Sequence, residues 1–312
     1  MTTKHFSTEE IIGQSNAQRF IHKYQNDPST IPPLLIFYGP DGIGKWSLAE
    51  RFARHILCLE KRSCGLCPSC KAFMNNAHPD YIEFPSDTRI AIGEEKDPAE
   101  FTVRWLQSKR LNFRPHLSAF RIILFPDASL INNEAETALL KSLEEPPAHS
   151  KFIFLVNDLK KLKQTIISRA VCIPFQYLSQ DNLKILGERH SLEIPKYFGG
   201  SLNPFEVPTE VLQLTQEKVN ECADNSVLLL ELESWVRSYK DQHPEWTDNF
   251  NYKAFLEIFC LLLIHHYAET TIAQHMQKIE AIYSFKENLH KNIAGIEPFL
   301  LSSLFHRLSY LT

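Results

Sequence analysis

At 312 residues, with 44% hydrophobic and 22% charged side chains, the chain has the makeup of an ordinary globular protein with room for two or three cores. A net charge of −4 excludes whole-molecule attraction to nucleic acid, so any basic surface has to be local. The opening MTTKHFSTEE lacks the apolar stretch of a secretory signal, and the longest apolar run, 255–264, reads as a buried helix too short to span a bilayer, which makes the cytoplasm the expected compartment.

In chain order, the first strand-like run is 34–38, and 81–84, 122–125, 152–156 and 171–175 follow it, most of them separated by helical patterns. Such alternation predicts an α/β fold with a mainly parallel, doubly wound sheet over residues 1–178. Directly after the first run comes Gly39-Pro40-Asp41-Gly42-Ile43-Gly44-Lys45, and a helix is expected from about Trp46. This is the strand–loop–helix setting that G-x-x-x-x-G-K requires. Glycines at such a loop let backbone N–H groups turn toward phosphate oxygens, and the lysine reaches the outer phosphates.

Two positions depart from an ATPase. A hydroxyl should follow the lysine to hold Mg²⁺, but the chain has Trp46, and Ser47 lies about 100° further round the helix. The run 122–125 should end in acidic residues, one for the metal and one for water. Pro126-Asp127 follows instead, so that Pro126 offers no carboxylate and only Asp127 can replace the second acid. Both magnesium supports are therefore altered, and the expectation is a phosphate-loop frame that does not hydrolyse ATP. Gly39, Gly44 and Lys45 remain, which leaves nucleotide binding open.

Cys58, Cys64, Cys67 and Cys70 form a C-x5-C-x2-C-x2-C cluster just after the loop helix. Without a secretory signal, that crowding favours metal over disulfides, and four thiolates close a structural zinc site. Cys172, Cys222 and Cys260 are scattered and read as small buried residues. After the last strand, 179–224 is more polar, is broken at Gly199-Gly200, Pro204 and Pro208, and reads as a small helical unit. From 225 to 312 the pattern is purely helical, with Leu228, Leu232, Trp235 and Val236, and later Leu301, Leu304, Phe305 and Leu308, at helical spacing.

Residues 138–147, A-L-L-K-S-L-E-E-P-P, closely resemble the N-A-L-L-K-T-L-E-E-P-P signature of bacterial clamp-loader subunits, with Thr137 where Asn is usual. Residues 151–158 look like the sensor-1 strand of that family, with Asn157 at the sensor position. Thr165-Ile166-Ile167-Ser168-Arg169-Ala170 looks like T-I-x-S-R-C, with alanine for the cysteine. The cysteine cluster falls where these subunits carry a zinc module. The motifs cover about 12–175. Within the family the altered ATPase motifs, His78-Pro79-Asp80-Tyr81, and Asn292-Ile293 followed by Glu297 are similar to the delta-prime branch of DNA polymerase III and not to its motor branch, gamma/tau. A sensor-2 arginine is not recognisable near Gly199-Gly200-Ser201.

The resemblance implies an AAA+ module at 1–178, a helical lid at 179–224, and a helical collar at 225–312 that joins subunits into a ring. It implies a stator that helps load the sliding clamp onto primed DNA, with the motor gamma/tau and delta subunits as partners and no membrane. Arg169 matches the arginine that enters a neighbour's ATP site. Two other readings stay open: an active motor-type ATPase using Ser47 and Asp127 for magnesium, and a zinc-bearing DNA-binding protein unrelated to clamp loading.

Overall fold

The strands are apolar on both faces, as a parallel sheet covered on each side requires. They are β1 (Leu34–Tyr38), β2 (Tyr81–Glu83), β3 (Arg121–Phe125), β4 (Ser150–Val156) and β5 (Val171–Pro174). The computed structural model describes residues 11–190, 200–201, 209–242, 252–289 and 297–311. Outside them lie the N-terminal stretch, Gly199, Pro204, Pro208, Asn292 and Ile293, on which several sequence expectations rested.

The sheet order is β2-β3-β4-β1-β5, and every pairing is parallel. Side chains alternate between the faces. Leu34, Ile36, Ile123, Phe125, Phe152, Phe154 and Val156 point into one core, and Leu35, Phe37, Ile122, Leu124, Ile153 and Leu155 into the other. The second face is covered by α1 (Ser15–Asn26), α2 (Lys45–Leu57) and α3 (Pro68–Met74), and in α2 Leu48, Ala49, Phe52, Ala53, Ile56 and Leu57 make the apolar stripe. The first face is covered by α4 (Val103–Trp105), which runs on as a π-helical turn at Leu106–Leu111, and by α5 (Asn133–Glu144) and α6 (Gln164–Ile167). These three layers form the parallel α/β fold that the sequence pattern predicts. β3 begins one residue before the apolar run, because Arg121 is buried and donates to the carbonyls of Arg110, Phe113 and Arg114 in the loop leading to it.

The chain divides into two units, Met1–Ser179 and Gln180–Thr312. The second contains α7 (Gln180–His190), α8 (Thr209–Cys222), α9 (Ser226–Gln242), α10 (Tyr252–Leu289) and α11 (Glu297–Tyr310). Val211 and Val219 of α8 share one core with Leu232 and Val236 of α9, Phe255 and Phe259 of α10, and Leu304 and Phe305 of α11. A helix that the sequence groups with the small linking unit thus packs with the C-terminal helices. The apolar run 255–264 lies inside α10, and no helix among the described residues is long and apolar enough to cross a membrane.

Candidate functional site

The phosphate loop leaves β1 through Gly39, at φ +142°, where a Cβ would stand 2.2 Å from the Phe175 carbonyl oxygen. Only glycine fits so close to a neighbouring backbone. Gly44, at φ +92°, precedes α2 and accepts the Leu48 amide at 3.0 Å. Lys45, the first residue of α2, is buried. Its Nζ donates to the Gly39 carbonyl at 2.5 Å, to the Pro40 carbonyl, and to Asn157 Oδ1 at 3.2 Å. Asn157 in turn donates Nδ2 to Asp41 Oδ2 at 2.6 Å, and Asp41 Oδ1 lies 3.9 Å from the lysine. Burial pushes the Lys45 ammonium down to about 8, against the opposing pull of Asp41 and Asp127. Asn157 therefore stands beside the loop lysine.

Geometry at the magnesium positions is different. The Trp46 indole donates Nε1–H to Glu83 Oε1 at 2.9 Å, and Tyr81 donates its hydroxyl to Glu83 Oε2 at 3.2 Å. An indole nitrogen is a donor only and offers no lone pair to a cation. Ser47 is exposed. At the end of β3, Asp127 Oδ1 accepts from the Ser129 amide at 2.9 Å and its hydroxyl at 2.6 Å, capping the short turn Ala128–Leu130. That oxygen is occupied locally, in the manner of an Asx turn.

Cys58, Cys64, Cys67 and Cys70 bring four sulfurs within 4.8 Å of one another. Cys58 and Cys64 are 3.7 Å apart, Cys58 and Cys67 3.9 Å, and Cys64 and Cys70 4.0 Å. Four thiolates about 2.3 Å from one tetrahedral ion stand about 3.8 Å from each other, so the set has the right size for zinc. Backbone amides face the sulfurs: Cys64 N–H donates to Cys58 at 3.5 Å, Cys67 N–H to Cys64 at 3.4 Å, and Cys70 N–H to Cys67 at 3.4 Å. Burial works against ionisation of Cys58, yet the amides of Cys64, Arg62 and Glu60 outweigh it and hold the thiol at about 6. Burial leads the forces that push Cys70 up to about 12. With all four ionised, a cation among them would be needed to offset the charge.

The cluster is tied to the sheet by residues whose role the sequence did not reveal. Ser69, between two of the cysteines, donates its hydroxyl to the Leu57 carbonyl at 2.6 Å and meets His78 Nε2 at 2.9 Å. The Asp80 amide donates to His78 Nδ1 at 3.0 Å, which leaves the ring proton on Nε2. The fully buried Asp80 carboxylate accepts the amides of His116, Leu117 and Ser118 at 2.7, 2.7 and 2.9 Å and lies 3.9 Å from Arg121. His78-Pro79-Asp80 is thus a bracket between the cysteine module and β3.

Arg169 follows α6 on the surface. Its Nη1 donates to the Thr165 carbonyl at 2.7 Å and to Ser168 Oγ at 3.4 Å, and Nη2 to Glu144 Oε1 at 2.7 Å. Glu144, Glu83 and Asp41 are the partners that sequence reading missed, since each contact joins separate elements.

The profile of the family described as "DNA polymerase III, delta subunit" matches residues 13–179, more than half of the chain. DNA polymerase III subunit tau of Salmonella typhimurium is 30% identical over 161 residues, covering 51% of this chain and 23% of that protein. DNA polymerase III subunit delta' of Pseudomonas aeruginosa is 33% identical over 142 residues, covering 44% of this chain and 40% of that protein. The matched segments are thus well under two thirds of these relatives' own length. A solved structure of a gamma subunit-related protein of DNA polymerase III from Thermotoga maritima aligns with 95% of this chain and 99% of its own, at 14% identity and a TM-score of 0.49.

Proposed function

The chain belongs to the DNA polymerase III delta subunit family, within the clamp loaders of that polymerase, and we propose that it serves there as a delta-prime-type stator that does not hydrolyse ATP itself. One observation carries the reading. Trp46 and Pro126 stand at the two positions that hold magnesium in a working ATPase, and the Trp46 indole is bonded to Glu83. A lysine and a glycine loop can still hold phosphate, but without the metal they lack the main charge that stabilises phosphoryl transfer.

The chain's contribution to catalysis is Arg169, acting in trans as an arginine finger. A guanidinium at the end of a short helix beside a rigid sheet can enter a neighbouring subunit's ATP site and neutralise charge on the transferring phosphoryl group. The partners are the motor gamma/tau and delta subunits, with the sliding clamp and primed DNA as substrates of the assembled, cytoplasmic complex. Cys58, Cys64, Cys67 and Cys70 hold a structural zinc ion, with all four positions filled by protein and none open for chemistry. Residues 179–224 act as the lid, whose α8 packs on the helices of the collar, and 225–312 act as the collar.

The test is reconstitution. The isolated chain should turn over no ATP above background, and a mixture with motor and delta subunits should yield a stable complex whose hydrolysis rises with clamp and primed DNA. Arg169→Ala should leave assembly intact and lower that stimulated hydrolysis. A finger is worth roughly 10³–10⁵ at its own site, but the complex has several sites, so total turnover falls by less. Robust magnesium-dependent turnover by the unmodified chain alone would favour the motor reading instead.

A further inference from the structure

Glu144 is the last residue of α5, where the aligned peptide dipoles leave partial negative charge and a carboxylate is poorly placed. Glu145 follows it, and Pro146-Pro147 then fix the chain direction. The end of α5 is therefore a concentrated negative site, and Arg169 occupies it, 2.7 Å from Glu144 Oε1. The pair is partly exposed, at 35% and 50% of the two side chains, so it contributes little to folding stability. A second tie holds the same two elements together independently. Glu136 of α5, nearly buried, accepts the Lys163 amide at 2.8 Å, and the Lys163 ammonium donates to the Asn133 carbonyl at 2.9 Å and Thr137 Oγ1 at 3.0 Å. The start of α6 is thus fixed without Glu144, which leaves the Glu144 contact acting on the guanidinium alone.

We infer that Glu144 is the positioning residue of Arg169, holding its guanidinium in one orientation before a neighbouring subunit docks. The contacts use Nη1 and one Nη2 hydrogen, and Nε–H and the second Nη2–H lie outside them. A long arginine side chain loses considerable rotamer freedom when it is held against a reacting group, and prior orientation removes much of that loss from the catalytic step. This rests on the reading of Arg169 as a finger in trans.

The experiment is a double-mutant cycle in the reconstituted complex, with Glu144→Gln, Arg169→Ala and both together, reading subunit affinity, KM for ATP and stimulated kcat. Glu144→Gln should lower kcat by about threefold to tenfold while affinity and KM stay unchanged. In the Arg169→Ala background it should have no further effect, because the glutamate acts through the arginine. A drop for Arg169→Ala with wild-type or faster turnover for Glu144→Gln would overturn the positioning role and leave the finger standing. So would losses that multiply in the double variant. An Arg169→Ala complex with wild-type turnover would overturn both.

Discussion

Lys45 sits almost out of water in a loop that gives it two carbonyls and an asparagine oxygen, and its proton is held less tightly than in the unfolded chain. The ammonium titrates near 10.5 when unfolded and at about 8 when folded, so between those values the unfolded chain carries more protons. Stability linked to this group therefore rises with pH through that window, and below it the folded state bears the cost of a buried charge. The slope is at most about 1.4 kcal/mol per pH unit. Lys45→Met removes the titration while keeping most of the volume. Chemical denaturation of both proteins at about pH 7.5 and about pH 9.5 should give a stability difference that shifts toward wild type at the higher pH. A difference independent of pH would mean that the lysine is hydrated in solution. The residue itself was legible, because a glycine loop between strand and helix constrains backbone and charge together. Its environment was not: Asn157 and Trp46's partner Glu83 reach the loop from other strands, and sequence spacing carries no signal for contacts across a sheet.

Each strand was readable to within about two residues, since burial on both faces of a parallel sheet leaves continuous apolar runs. The exception is the polar start of β4, where Ser150 and Lys151 pair in the ladder without matching the pattern. The helical unit was less legible. α8 joins the core of α9–α11 through a few apolar positions, Val211, Val219 and Cys222, spread over a polar stretch. The cysteine module is an excursion between α2 and β2, bracketed by Ser69, His78 and Asp80. With zinc bound as proposed, its fold would depend on the metal, whereas the sheet has its own two cores. Purified protein should contain one zinc per chain. Cys67→Ser should lose most of it and unprotect the amides around 58–70 in hydrogen exchange, while β1 and β4 stay protected. Wild-type protein from zinc-replete cells with no metal would remove the assignment, and exchange throughout the sheet in the variant would show that the module supports the whole unit.

At the scale of the whole chain, each of the two units has buried apolar clusters of its own among the described residues. Among the described residues, the two clusters on the sheet draw on positions 17–175 and the helical cluster on 211–308. A unit with a complete core of its own folds without its neighbour, so a chain ending at Ser179 should keep its secondary structure, its zinc and a cooperative unfolding transition. The helical unit has an additional feature. Val227 and Leu230 on α9 and Phe299 and Tyr310 on α11 remain largely exposed, Phe299 and Tyr310 each at 77%. On the proposed collar role, these exposed apolar side chains belong to the surface that another subunit covers. The shortened chain should therefore bind zinc as the full chain does, yet fail to enter the complex with motor and delta subunits at concentrations where the full chain assembles completely. Analytical ultracentrifugation of the mixtures separates the outcomes. Loss of the unfolding transition in the shortened chain would make the two units mutually dependent. Assembly at full-chain affinity would mean that the α/β unit, and not the helices of 225–312, carries the contact.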